Sequence, residues 1–234
     1  MLQTQTVEAG TLDLIQRLMN DAELSAFNLV GGTALSLMIG HRKSIDIDLF
    51  TDRDFDSKAL SAYLSDRYSI SEIKTIKNGI FCFIDNVKVD LISHKYPIVG
   101  PLNIQQGIRM VSLEDIGAMK LNAIVNSGNR LKDFIDIYFL LEHVPFLLLR
   151  KSFEEKYPEF NRHIAQNALL FHDDINFKVK VEVLGKDVSI DEMAQRFRMA
   201  IQNPARVFKQ NIEHPLLKVR DDKIRKNPKR GQGL

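Results

Sequence analysis

Residues 30–50 read VGGTALSLMIGHRKSIDIDLF, and the second half of this stretch decides the fold. From Ser44 to Thr51 the chain alternates. Ile45, Ile47 and Leu49 fall on one face of an extended strand, and Asp46 and Asp48 fall on the other. Acids at i and i+2 of a strand project the same way, with Cα atoms ~6.6 Å apart. Carboxylates so placed can share one Mg²⁺ or bracket two ions ~3.5–4 Å apart. Phosphoryl transfer calls for such a pair, because charge develops on the nucleotide's phosphates and on the departing pyrophosphate.

Upstream, Phe27 to Val30 is a strand that Gly31-Gly32 ends, and Thr33 is placed to cap a short helix running to about Gly40. Without Cβ atoms the glycine pair lets the backbone approach a phosphate, and the N–H groups opening the next helix favour an anion. Thr33 adds a hydroxyl donor. A lone DxD or a lone glycine pair says little. The order strand, glycine pair, short helix, DxD strand says considerably more.

Further outward, residues 8–26 and 56–67 have helical spacing and 68–75 reads as a strand. Residues 79–93, IFCFI-DN-VKVDLIS after Gly79, form a hairpin with Asp85-Asn86 at its turn. Its second strand supplies a third carboxylate, Asp90, sharing a face with Lys88 and Ile92; an exposed strand acid is the alternative. From Leu113 the pattern becomes helical, over 113–126, 131–143, 146–156, 160–170 and 189–212, with breaks at Ser127-Gly128-Asn129, Pro145 and Pro158. The class is α+β, with a mixed small sheet and flanking helices followed by a mainly helical C-terminal part. Expected units are residues 1–108, 109–214 and a basic tail 215–234, with a soft boundary near 100–112.

The 234 residues are 44% hydrophobic and 26% charged, an ordinary globular composition. The net charge is +2, but residues 215–234 hold seven Lys or Arg against two Asp, so the basic excess is local to the tail. No apolar run reaches the ~18 residues of a membrane span, and the N-terminus has no basic-then-apolar leader. Cys82, the single cysteine, sits in IFCFI as a buried small hydrophobe and has no internal partner. A cytoplasmic protein is expected, with no membrane partner.

The quoted stretch resembles the signature of the AbiEii-type nucleotidyltransferases, toxin halves of abortive-infection toxin–antitoxin pairs within the DNA polymerase β-like superfamily. The matching pattern is GGTALxLxxGHRxSxDIDLF. LEDIGAMKLNAIVNSGNRLKDFIDIYFLL at 113–141 and ALLFHDDINF at 168–177 are similar to the same family, so the likeness spans roughly residues 27–177. It implies a nucleotidyltransferase fold. By the resemblance, Gly31, Gly32 and Thr33 form the nucleotide-phosphate loop, and Asp46 and Asp48 the metal pair. Asp90 is the third acid, acting as base or second-metal ligand. Lys120 contacts the nucleotide, and Asp133 and Asp136 form the fourth motif. The cofactor implied is Mg²⁺ (or Mn²⁺), the substrate a nucleoside triphosphate (NTP), the acceptor RNA such as a tRNA 3′ end, and a cognate antitoxin protein is a further partner.

The residues themselves leave alternatives. Lys120 lies four residues from Ile116 and Ile124 on an apolar stripe, so it either delivers its ammonium into a cleft or snorkels to water. Asp133 and Asp136 are either site acids or partners of Arg130 and Lys132. Arg42, beside His41, could meet a phosphate or pin its loop to the acids. His172-Asp173-Asp174 lacks a second histidine at helical spacing and reads as a polar loop. An NTP-binding pseudoenzyme, a kinase-like toxin or a non-catalytic nucleic-acid-binding module on the same fold are the competing functions.

Overall fold

The computed structural model describes residues 1–161 and 163–208. The basic tail expected at 215–234 lies outside these residues. In chain order the elements are α1 (Ala9–Asn20), β1 (Asn28–Val30), α2 (Gly31–Ile39), β2 (Ile47–Thr51), α3 (Ser57–Arg67), β3 (Ile70–Ile76), β4 (Gly79–Ile84), β5 (Val87–Ser93), β6 (Asn103–Gln105), β7 (Ile108–Met110), α4 (Leu113–Ser127), α5 (Leu131–Leu140), α6 (Phe146–Lys156), α7 (Ile164–Leu170) and α8 (Ile190–Gln202). The class is α+β, as the sequence implies.

The seven strands form one mixed sheet in the order β3-β4-β5-β2-β1-β7-β6. Strand β2 runs antiparallel to β1 and parallel to β5, and β7 joins β1 in parallel. The hairpin β4–β5 turns at Asp85 and Asn86, both at positive φ, the conformation a two-residue hairpin turn requires. Strands β6 and β7 are absent from the sequence reading. Each is three residues long, too short for alternation to register, and Gln106-Gly107 at positive φ is the only local sign of the turn between them. The sheet therefore continues to Met110, and α4 begins at Leu113.

Side-chain caps fix the starts of three helices. Ser112 accepts from Asp115 N at 3.0 Å, Asp56 caps α3, and Ser189 with Glu192 forms a capping box on α8. Asp115 then accepts from Val99 N (3.0 Å), Gly100 N (2.9 Å) and Lys156 Nζ (2.8 Å), tying the loop before β6 to α4 and α6. The expected helix over 8–26 ends at Asn20 and a 3₁₀ turn follows at Ala22–Leu24. The helix expected to reach 212 stops at Gln202. Ile45 is 64% exposed because β2 begins only at Ile47; Ile47 and Leu49 are fully buried. Among the described residues no helix is long and apolar enough to cross a membrane.

Candidate active site

Strand register assembles the acids. On the parallel pair β2–β5, Asp48 and Asp90 are direct Cα partners, while Val30, closing β1, faces Asp48 from the other side. The two carboxylates thus stand side by side on one face of the sheet, and Asp46 precedes them where β2 begins. Burial pushes the Asp48 carboxyl above the ordinary range; Asp90 and Asp46 add to this, and Lys120 and Lys88 oppose it. Asp90 Oδ2 accepts from Lys88 Nζ at 2.6 Å, whereas its Oδ1 is buried without a hydrogen-bond partner. Asp46 lies 3.8 Å from Lys132 Nζ. The sequence placed Lys88 beside Asp90 by alternation but gave it no role, and Lys132 was matched to the wrong acids.

The glycine pair is occupied by the protein's own side chains. Gly31 sits at φ +70, and a Cβ there would lie 2.3 Å from Asp48 Oδ2. A Cβ on Gly32 would lie 2.2 Å from Arg42 Nη2. Both positions need glycine so that an acid and a guanidinium can press against the backbone, in addition to any approach by phosphate. Thr33 is the third residue of α2, not its cap, which is Val30 and makes no side-chain bond. Its hydroxyl is buried, donates to the Asp46 carbonyl and lies 2.9 Å from Ser44 Oγ. It secures the segment leading into β2, which leaves it no free donor for a ligand.

Behind this face lies a buried ionic hub centred on Asp136 of α5, which is fully buried. Arg42 grips it with both arms, Nε to Oδ1 at 2.6 Å and Nη2 to Oδ2 at 3.0 Å. Lys120 of α4 reaches Asp136 Oδ2 and Asp133 Oδ1, each at 2.7 Å. His41 Nε2 is 2.8 Å from Asp136 Oδ1. Arg130 reaches Asp133 at 3.2 Å, one of the two pairings the sequence allowed. Burial would raise the Asp136 carboxyl, but Lys120 and Arg42 outweigh it and hold it well below the usual range. Burial likewise works against the Lys120 ammonium, and Asp136 and Asp133 more than restore its charge. His41 is held neutral because burial outweighs the pull of Asp136. Arg42 and Lys120 thus balance Asp133 and Asp136 away from water.

The sequence left alternatives for three of these residues. Arg42 is committed to Asp136 and is not aimed at open space where a phosphate could reach it. Lys120 is no stripe-edge lysine; its ammonium is fixed inside, close enough to Asp48 to act on it electrostatically. Asp136 takes up Arg42, Lys120 and His41, not Lys132. Away from the site, His172 hydrogen-bonds the Leu169 carbonyl and packs against Phe134 and Phe197. Cys82 is buried, its thiol pushed up to about 11 chiefly by desolvation, with Asp90 adding.

The family profile described as "Nucleotidyl transferase AbiEii toxin, Type IV TA system" matches residues 13–222. The chain belongs to this family. Relatives include aq_aa25 of Aquifex aeolicus (strain VF5), 29% identical over 176 residues, which cover 73% of this chain and 85% of that protein. Among solved structures, a candidate nucleotidyltransferase from H. pylori aligns at TM-score 0.54 with 18% identity, over 85% of this chain and 96% of that one. JHP933 from Helicobacter pylori aligns at 0.52 with 16% identity, over 93% and 97%. At these identities the structural likeness speaks for the fold. Membership of the AbiEii family makes the chain a nucleotidyltransferase of the toxin–antitoxin type.

The Gly32 contact gives a direct expectation. Gly32→Ala or Gly32→Val forces Arg42 off Asp136, and breaking a buried pair costs about 3–5 kcal/mol. For a chain of this size the melting temperature then falls by about 6–20 °C. In an Arg42→Ala background the same Gly32→Ala change costs little, since the atom it strikes is gone. Melting curves of the three variants decide it; a Gly32→Ala protein that melts with the wild type shows that Arg42 has room to move.

Proposed function

We propose that this protein transfers a nucleotide from an NTP to a hydroxyl on RNA, such as a tRNA 3′ end, with Mg²⁺ or Mn²⁺. It does so in the cytoplasm as the toxin partner of a cognate antitoxin. The observation that carries the reading is the register of Asp48 against Asp90, with Asp46 in the segment just before β2.

The acids fit a hard divalent cation. All the donors are oxygens, Asp90 Oδ1 is buried and unpartnered, and Asp48 carries a charge that burial chiefly, with Asp90 and Asp46, disfavours and that a cation would relieve. Among the described residues no three His, Cys, Asp or Glu side chains are already gathered as a ligand set; Lys88 and Lys132 supply the countercharge instead. Asp46, Asp48 and Asp90 are the residues that would hold the metal, which when bound neutralises phosphate charge and polarises the phosphoryl oxygens. The backbone N–H groups opening α2 at Gly32 and Thr33 favour the triphosphate, and the Lys120 ammonium adds positive potential beside Asp48. The acceptor oxygen bonds to the α-phosphorus as the bond to the β-phosphate oxygen breaks and pyrophosphate leaves. Asp90 would take the hydroxyl proton, the base role that the family resemblance gives the third acid. No side-chain nucleophile is needed, which suits a chain whose one cysteine is buried packing.

Thermal shift tests the site. At metal–NTP concentrations about 100-fold over Kd, linkage adds about 2.7 kcal/mol, or about 5–11 °C for a protein of this size. Asp48→Asn is expected to lose most of that shift. Equal shifts in both proteins remove the metal site.

A further inference from the structure

The face that carries Asp90 continues outward across β4 and β3, and strand pairing fixes what it presents. Phe81 is the Cα partner of Asp90, and Phe83 that of Lys88. On β3, Lys74 stands opposite Phe81 and Glu72 opposite Phe83. The other face of β4, with Ile80, Cys82 and Ile84, is buried. The Asp90 face is open here: Phe83 is 36% exposed, Phe81 is half-buried, and the Lys88 side chain is 43% exposed. The solvated face of an antiparallel sheet is ordinarily polar, and two neighbouring aromatic rings on it make a contiguous apolar patch of the kind that marks an interaction site.

We propose that this face is the acceptor platform: it takes the unpaired end of a single-stranded RNA, with bases stacked on Phe81 and Phe83 and phosphates met by Lys74 and Lys88. The inference deepens the RNA reading above and rests on it. Charge complementarity selects the occupant. Lysines interleave with the rings, Lys77 stands exposed at the β3–β4 turn, and Glu72 is the one acid on the outer part of this face. Aromatic residues set among basic ones on an open sheet match the way proteins hold single strands, whose bases offer free π-faces that a duplex hides. The two rings are i and i+2 on one strand, about 6.6–6.8 Å apart, so they hold two bases in line. Position selects the end of the strand. A terminal nucleotide stacked on Phe81 brings its hydroxyl to the neighbouring Asp90. Lys88, bonded to Asp90 while the face is empty, is within reach of both the acid and an arriving phosphate.

The test is fluorescence anisotropy of a short labelled single-stranded RNA, with the matching duplex as a second probe and metal–NTP binding measured in parallel. Phe83→Ala and Phe81→Ala are each expected to weaken single-strand binding about tenfold. Phe83→Tyr keeps the ring and keeps the affinity. Lys74→Ala lowers the slope of log affinity against log salt by roughly 0.7. Duplex binding changes little throughout. Phe83 lies away from the glycine loop, so Phe83→Ala retains metal–NTP binding. If single-strand affinity is the same in all variants while metal–NTP binding holds, the platform is overturned and the enzyme reading stands. If the wild type binds no metal–NTP, that earlier reading is what fails. Self-association in sedimentation that Phe83→Ala abolishes, with RNA binding unchanged, overturns the platform in favour of a contact between copies of this chain.

Discussion

Asp48→Ala is expected to abolish nucleotide transfer to acceptor while circular dichroism stays native. The side chain stands directly beside Asp90, and under the proposed reading these two acids and Asp46 hold the metal. Metal-assisted phosphoryl transfer asks the protein mainly for positioning and charge neutralisation, so losing a carboxylate removes the reaction outright. Stability moves the other way. Burial and two acidic neighbours disfavour the Asp48 charge, so the metal-free alanine variant melts no lower than the wild type by more than its lost packing. Asp46→Ala behaves alike, with toxicity on expression lost in both. Cys82→Ser stays within a few-fold of the wild-type rate. Acceptor labelling with saturating Mg²⁺ and each labelled NTP is the measurement, and a folded Asp48→Ala protein that labels at the wild-type rate defeats the assignment.

The second large effect is on folding. Asp136→Ala leaves Arg42 and Lys120 buried with too little counter-charge. Removing one partner of a buried pair costs about 3–5 kcal/mol, set against a total of about 5–15 kcal/mol for a typical domain. The variant is expected to melt at least about 6 °C lower or to fail to accumulate. Asp136→Asn, which keeps the shape and one acceptor, is intermediate. Acid titration reports the same hub. A carboxyl held well below its unfolded value of about 3.9 contributes stability that is fully present above that value. The contribution is lost as pH falls from there towards the folded value. His41, kept neutral by burial, adds a loss that begins below about pH 6.5 as the unfolded chain gains its proton. Denaturant midpoints from pH 7 to about pH 2 show both limbs in the wild type. In Asp136→Asn the lower limb is flattened; a variant with an identical acid limb removes Asp136 from the account.

How much of this could be read from residues alone follows from the range of each interaction. Asp48 on β2 was legible because a strand's period of two is local, although the strand begins at Ile47 and leaves Asp46 just ahead of it. The β4–β5 hairpin was legible for the same reason, with its Asp85-Asn86 turn. Which strand lies against β2 is not local, and the direct pairing of Asp48 with Asp90 appears only in the sheet. The hub was legible in its members and not in its pairings. Arg42, Lys120 and Asp136 were each singled out, yet the partner of Arg42 is 94 residues away, beyond any spacing rule. Sequence reasoning gave the glycine pair to the ligand because an absent Cβ shows that something comes close, not what does. Asp48 and Arg42 come close, and that depends on contacts distant in sequence. Strands β6 and β7 were missed because three residues cannot show a period.

The hub also sets a clock. The loop carrying Arg42 and the DxD strand is made early in synthesis, whereas the carboxylate that fixes Arg42 lies on α5, and Lys120 on α4 between them. A nascent chain released only as far as β7 holds the complete sheet and every acid on it. It still lacks the anchor that keeps Arg42 against Gly32. Domains fold as units during synthesis, and the Arg42–Asp136 pair needs α5, so the geometry at the glycine loop is completed only after residue 136 has left the ribosome and α5 has docked. For a protein whose chemistry is toxic to its own maker, the working arrangement is thereby deferred to the later part of translation.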